Sequence, residues 1–385
     1  MKVAQISPYD FAYPGGVTSH ICHLSRQLAL RGHQIKIIAP CSRGVPSSEI
    51  EVIPLGRPIP VPSSGSYARV ALSPGLSSQV KSLLAREHFD ILHIHEPFTP
   101  MLPITVVRLA SEPKVGTFHA FHGKPRGYAL FKPVLSRWFR RLAACTAVSR
   151  PALDFVSRHF PGNYEIIPNG IDLGRFHSEV LPIPELCDGK RNILFVGRPE
   201  KRKGLKYLLR AYRELKREFP DLRLLVVGPG THLRQRYERL AQKYHLEDVV
   251  FTGYVSDADL PRYYRSAEVF CAPATGQESF GIVLLEAMAM GTPVVATNID
   301  GYASVMEHGV QGLLVPPRRE EALAQAIATL LDNPALGKEM GARGRLTAAD
   351  YSWKLIARRV EELYLRLLHS HPTQSHLEEE VARQL

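Results

Sequence analysis

The sequence predicts an α/β chain made of two successive doubly wound parallel-sheet domains, and three observations carry that prediction. Its 385 residues exceed one ordinary domain and suit two of about 170 to 200 residues, each able to bury a core. Short β-branched apolar runs alternate with helix-period patterns, the signature of parallel sheets assembled from βαβ units. The alternation runs twice, and the proline-containing stretch Leu181–Glu185 between the two series reads as an interdomain linker.

The first series opens with a strand at Val3–Ile6, a helix over Val17–Arg31 and a strand at Ile35–Ala39. It continues with strands at Ile91–Ile94, Val115–Phe118 and Thr146–Val148. Pro54–Pro74, rich in Pro, Ser and Gly, reads as a long loop. In the second series strands are expected at Ile193–Val196, Leu222–Val227, Val249–Thr252, Val269–Cys271, Val294–Ala296 and Gly312–Val315, separated by helices. Both series fit a Rossmann-like half, which places domains at 1–175 and 190–350. The tail 370–385, with Glu378, Glu379 and Glu380, is expected to be mobile.

Composition narrows the function classes. The N-terminus MKVAQISPYD lacks an apolar stretch of signal-peptide length, and no segment approaches the ~20 apolar residues of a membrane span, so a cytoplasmic protein is expected. Cys22, Cys41, Cys145, Cys187 and Cys271 are scattered, which argues for reduced thiols and against structural zinc. The net charge of +11 is uneven: residues 1–176 carry 20 Lys and Arg against 10 Asp and Glu, and residues 177–385 carry 28 against 27. That asymmetry points to an anionic partner for the first half, either a phospholipid surface or nucleic acid. No recognised nucleic-acid-binding motif is present, so the lipid surface is the expected partner. The segment 122–141, HGKPRGYALFKPVLSRWFRR, interleaves basic and aromatic residues as an interfacial amphipathic element does, although half of its apolar side chains would serve equally in a core.

The most informative stretch is Gly276–Thr297, GQESFGIVLLEAMAMGTPVVAT, where Glu278 and Glu286 flank a helix start. An apolar run with Ile282, Leu285, Met288 and Ala289 on one face follows Gly281. The first turn of such a helix offers unpaired amides to a diphosphate without a metal, and eight residues at helical rise separate the two carboxylates by about 12 Å. A buried helix with an acidic N-terminus is the structural alternative. Arg198 and Lys203 follow the strand ending at Val196, at the carboxyl edge where ligands of open α/β sheets bind, with Lys201 and Arg202 between them as a basic turn. Gly15 and Gly16 precede a helix and suit either a tight bend or close approach of a phosphate. His119 ends a strand. His93 and His95 share a strand face, but no third ligand at suitable spacing accompanies them, so no metal is expected. Asp257 suits a nucleotide base or a helix N-cap.

The paired glutamates with SFG between them resemble the retaining glycosyltransferases of family 4. The resemblance extends through PGGV at Pro14–Val17, HIHEP at His93–Pro97, GTFH at Gly116–His119, IPNGID at Ile167–Asp172 and VGRPEKRKG at Val196–Gly204. It is strongest to phosphatidylinositol mannosyltransferases. The resemblance implies a GT-B fold, two Rossmann-like domains facing a cleft, with the helix around Trp353–Leu368 crossing back to the first domain. It implies no cofactor, and transfer of a hexose, mannose from GDP-mannose, to a lipid such as phosphatidylinositol at the inner membrane face. Other donors such as UDP-sugars, soluble or polysaccharide acceptors, and a sugar-nucleotide epimerase are the alternatives. Carried onto this chain, it assigns Arg198 and Lys203 to the donor diphosphate, Glu278 to sugar hydroxyls, Glu286 to the ribose, Asp257 to the base, and Gly16 and the amides of Phe280, Gly281 and Ile282 to phosphate. His119 faces the transferring sugar, and Tyr9, Gly15, Thr18, His119 and Lys124 face the acceptor. Thr18 replaces Gln, Phe98 replaces Asn, and Leu260 stands where a lysine would help read the base, which leaves the acceptor and donor less fixed than the reaction.

Overall fold

A computed structural model of the chain describes residues 1–13, 15–43, 49–63, 66–71, 73–119, 126–230 and 233–370. It divides into two compact units, Met1–Gly170 with Trp353–Leu385, and Ile171–Ser352. Lys124 and residues 371–385 lie outside the described residues.

The first unit runs β1 (Lys2–Ile6), α1 (Gly16–Leu30), β2 (Gln34–Ala39), β3 (Glu51–Pro54), β4 (Pro58–Ser63), β5 (Ser66–Ala71) and α2 (Leu76–Glu87). It continues with β6 (Ile91–His95), α3 (Leu102–Leu109), β7 (Lys114–Phe118), α4 (Arg126–Phe139), β8 (Ala144–Ala147), α5 (Arg150–Ser157) and β9 (Glu165–Ile166). Seven of these strands form a parallel sheet in the order β3-β2-β1-β6-β7-β8-β9. Helices cover both faces, so the strands are buried on both sides. Ala4, Ile6, Ile38, Leu92 and Ile94 pack against α2 and α3, while Val3, Ile35, Ile91 and Val115 face the other way, toward α1 and the C-terminal residues.

Two expectations change here. Pro54–Pro74 is not a loop throughout, because β4 and β5 pair antiparallel with Ile59 opposite Val70. Pro58, Pro60 and Pro62 occupy alternate positions, which puts their missing N–H groups along one edge and leaves the intervening residues to bond the partner. Leu181–Glu185 is not a free linker. Its Ile183 amide donates to Ser266 Oγ at 2.8 Å, and the segment belongs to the second unit, which begins at Ile171.

That second unit contains β10 (Arg191–Val196), α6 (Leu205–Glu218), β11 (Leu222–Val227), α7 (Arg234–Lys243), β12 (Val249–Gly253), α8 (Leu260–Arg265) and β13 (Val269–Ala272). Then come α9 (Ile282–Met290), β14 (Val294–Thr297), α10 (Asp300–Ala303), β15 (Gly312–Val315), α11 (Glu320–Asp332) and α12 (Pro334–Ala349). Its parallel sheet has the order β12-β11-β10-β13-β14-β15. The chain steps outward from β10 to β12, then returns to place β13 on the other side of β10, so the order reverses between β10 and β13. Ligands of such sheets bind outside the carboxyl ends at this reversal.

The last element, α13 (Trp353–Ser370), belongs to the first unit. Trp353, Ile356, Ala357, Val360, Leu363, Tyr364 and Leu368 are buried along one stripe and pack with Leu24 and Leu28 of α1 over Val3, Ile91 and Val115. Arg31 Nε and His33 Nε2 both hold Glu361 at 2.7 Å, and Arg366 bonds Glu165 at 2.6 Å.

Candidate active site

The order reversal of the second sheet collects the charged residues that the sequence singled out. The loop after β10 carries Arg198, which is exposed, and a short 3-10 turn, Lys201–Lys203; the loop after β13 carries Glu278. Lys203 Nζ stands 2.8 Å from Glu278 Oε1, and Arg202 joins the same oxygen at 2.5 Å while its Nε holds Glu200 at 2.9 Å. Arg202, which the sequence suggested only as part of a solvated basic turn, is therefore a member of the site. Two glycines let the loops meet. Gly204 has φ +75° and an added Cβ would lie 1.8 Å from the Pro273 carbonyl, while Gly281 has φ +136° and an added Cβ would lie 2.9 Å from the Tyr302 ring.

Gly281 caps α9, and Phe280 is buried against Tyr351. The helix departs from the expected one-sided pattern: Leu284, Leu285, Ala287, Met288, Ala289 and Met290 are all buried, as befits a helix enclosed on every side. The carboxylate spacing is not a helical rise either, because Glu278 precedes the helix. Glu286 accepts a hydrogen bond from Tyr264 Oη at 2.7 Å, and burial pushes its carboxyl up to about 7. Arg175 and Lys203 oppose that rise and Asp257 reinforces it, which places all three within electrostatic reach of Glu286. Asp257 is not the N-cap of α8; Asp259 takes that position and Asp257 pairs with Arg175, whose Nε donates to its carbonyl at 2.6 Å.

In the first unit, strand ends bring histidines together. His95 Nδ1 and His119 Nε2 are 2.9 Å apart, His95 Nε2 meets Gln5 Oε1 at 2.8 Å, and His20 Nδ1 meets Asn169 Oδ1 at 2.8 Å. The His119 amide donates to Glu96 Oε1 at 2.6 Å. One nitrogen from each of His20, His95 and His119 lies within 4.8 Å of the others. The fold thus groups His95 not with His93, its neighbour in spacing, but with His20 and His119. Burial lowers all four rings, His20 to about 4, His93 to about 3, and His95 and His119 well below the usual range, so each is neutral and offers one donor and one acceptor.

The remaining first-unit residues divide. Gly15 caps α1 in extended geometry and Gly16 opens it; neither needs a glycine backbone, but both are exposed and nothing lies within 4 Å of a Cβ added to Gly16. Tyr9 is held by Thr99 and pushed upward by burial and Glu96. Thr18 is buried and donates its hydroxyl to the Gly15 carbonyl at 2.9 Å. Phe98 is buried among Phe118, Phe160 and Phe139, so its departure from the expected Asn is a packing choice in the core.

Comparison with known proteins accounts for both units. A model described as Glycosyltransferase Family 4 matches residues 14–175, and one described as Glycosyl transferases group 1 matches residues 180–347. A phosphatidyl-myo-inositol mannosyltransferase of Mycobacterium leprae is 38% identical over 368 residues, covering 94% of this chain and 96% of the relative. The chain belongs to the family 4 glycosyltransferases. Among solved structures, this glycosyltransferase resembles sucrose-phosphate synthase from Thermosynechococcus elongatus (TM-score 0.77, 24% identity, 96% and 99% of the two chains). It also resembles Anabaena HepE in complex with UDP and glucose (TM-score 0.76, 19% identity, 94% and 99%). These likenesses establish the GT-B fold that the motifs implied.

Sequence reasoning missed three residues that surround Glu278 and Glu286: Arg202, Tyr264 and Arg175. Arg202 sat inside a basic run with nothing to single it out, and Tyr264 and Arg175 reach Glu286 from 22 and 111 positions away.

Proposed function

We propose that this glycosyltransferase moves mannose from GDP-mannose to a phosphatidylinositol-type lipid, with retention of anomeric configuration and without a metal. The observation that carries the donor half is the carboxylate of Glu278 held by Lys203 and Arg202 at the order reversal of the second sheet. Lys203 turns to the donor diphosphate with Arg198, and Glu278, still held by Arg202, accepts from sugar hydroxyls. The amides around Gly281 supply further donors to phosphate and Glu286 takes the ribose. In the reaction the acceptor oxygen bonds the anomeric carbon as the bond to the leaving phosphate breaks, and the acceptor proton passes to that phosphate. Fixed cations stabilise the charge that develops there. On the first unit Gly16 is assigned to the donor phosphates, and Gly15, Tyr9 and His119 to the acceptor side.

The lipid half rests on the mannosyltransferase relatives and on α4. Leu130, Phe131 and Val134 are 74%, 56% and 49% exposed, beside exposed Lys132, Arg137, Arg140 and Arg141, while Leu135, Trp138 and Phe139 face the core. Such a surface suits peripheral contact with an anionic leaflet. No helix among the described residues is long and apolar enough to cross a membrane. The test is transfer from radiolabelled GDP-mannose into a lipid extract by wild type and Glu278→Ala. Incorporation by wild type and almost none by a folded Glu278→Ala is expected. Incorporation from UDP-glucose in place of GDP-mannose would replace the donor.

A further inference from the structure

Beneath α13 the first sheet carries a row of polar side chains where apolar ones would pack at lower cost. Gln5 of β1, His93 and His95 of β6, Thr117 of β7 and Thr146 of β8 lie on four neighbouring strands, and none is more than 3% exposed. From α13, fully buried Tyr364 lowers its hydroxyl into the row. Every link is a hydrogen bond. His119 Nε2 meets His95 Nδ1, His95 Nε2 meets Gln5 Oε1, and Gln5 Nε2 donates to Tyr364 Oη at 3.1 Å. Tyr364 Oη then meets His93 Nδ1 at 2.5 Å, His93 Nε2 meets Thr117 Oγ1 at 2.5 Å, and Thr117 Oγ1 meets Thr146 Oγ1 at 2.6 Å.

A neutral imidazole holds one N–H and a hydroxyl one proton, so fixing the donor at one link fixes it at all of them. With its oxygen toward His95 and its NH₂ toward Tyr364, Gln5 makes His95 Nε2 the protonated nitrogen. His95 Nδ1 must then accept, His119 Nε2 must carry the proton, and His119 Nδ1 is left bare. Reversing the amide reverses the file and leaves His119 with the opposite tautomer. The Tyr364 hydroxyl accepts from Gln5 and donates to His93 in the first arrangement and does the reverse in the second, so it ties the direction of the Gln5–His95–His119 half of the file to that of the His93–Thr117–Thr146 half.

We propose that Tyr364 is a positioning residue that, through Gln5 and His95, holds His119 in its Nε2–H tautomer. Its consequence for turnover rests on the reading of His119 as an acceptor-side residue given above. The test is histidine side-chain ¹⁵N–¹H NMR of the full chain, which reports which ring nitrogen is protonated. Wild type should show His119 as a single Nε2–H tautomer. Tyr364→Phe and Gln5→Met should show both tautomers. Gln5→Glu, whose carboxylate still accepts from His95, should keep the wild-type pattern. In Tyr364→Phe, kcat should fall about tenfold with KM nearly unchanged, the size expected when one orienting hydrogen bond is lost. A wild-type tautomer pattern in both Tyr364→Phe and Gln5→Met overturns the proposal, and Gln5→Met alone decides if the tyrosine variant fails to fold. His119→Ala separately tests the underlying reading: full turnover there removes His119 from the site, while the spectra still decide the Tyr364 linkage.

Discussion

Glu286 shows how a residue's surroundings convert into a measurable property. Its carboxyl is raised from 4.5 to about 7 by burial, so the folded protein holds a proton that the unfolded chain has released. The associated stability is present below the unfolded value and is lost as pH rises through 7. Wild type should therefore lose more melting temperature between pH 5 and pH 8 than Glu286→Gln, measured in parallel without donor; equal losses would refute the raised carboxyl. The carboxylate form accepts two hydroxyls, so donor affinity should rise over the same interval in wild type and stay flat in the variant. Both glutamates were legible in the sequence because SFG and a helix start lay between them. Arg202 was not, since a charge in a basic run acquires its role only when the fold sets Glu278 beside it.

At the level of elements, α9 and its cap hold the second-unit site in register. Gly281→Ala should destabilise the protein by about 1–3 kcal/mol, read by denaturant unfolding, because φ +136° disfavours any side chain and the new methyl meets the Tyr302 ring. An unchanged midpoint would mean that the cap rearranges freely. The helix at α4 is a second case. Replacing Leu130, Phe131 and Val134 together by Ser should leave melting unchanged and reduce sedimentation with anionic liposomes, since these side chains are exposed. Binding unaffected by the triple variant, or indifferent to lipid charge and salt, would exclude this surface as the membrane contact. Apart from the two edge strands β3 and β9, the strands of both sheets could be read from β-branched runs, but the β4–β5 ribbon could not. Its alternating prolines score against a strand unless one knows that the edge they form needs no donors.

For the whole molecule, the division at Ile171 and Ser352 makes a prediction about fragments. Residues 171–352 close on themselves, with the Ile171 amide bonded to the Tyr351 carbonyl at 2.8 Å, and should fold alone as a cooperative unit that GDP-mannose stabilises. Residues 1–170 without α13 should aggregate, because Val3, Leu24, Leu28, Ile91 and Val115 lose their cover. A monomeric, cooperatively melting 1–170 fragment would contradict that account. By itself the sequence determined the class of fold, the two-fold repetition of the doubly wound pattern and the motif that sets Glu278 and Glu286 either side of a helix start. Those depend on local periodicity and on motifs a few residues long. Tertiary structure alone decided that Arg202 and Lys203 share Glu278, that Phe98 is core, and that His20 and Tyr364 join a histidine row begun on β6. These pairings link residues up to 271 positions apart, and only parallel strand order and the return of α13 bring such residues within hydrogen-bonding distance.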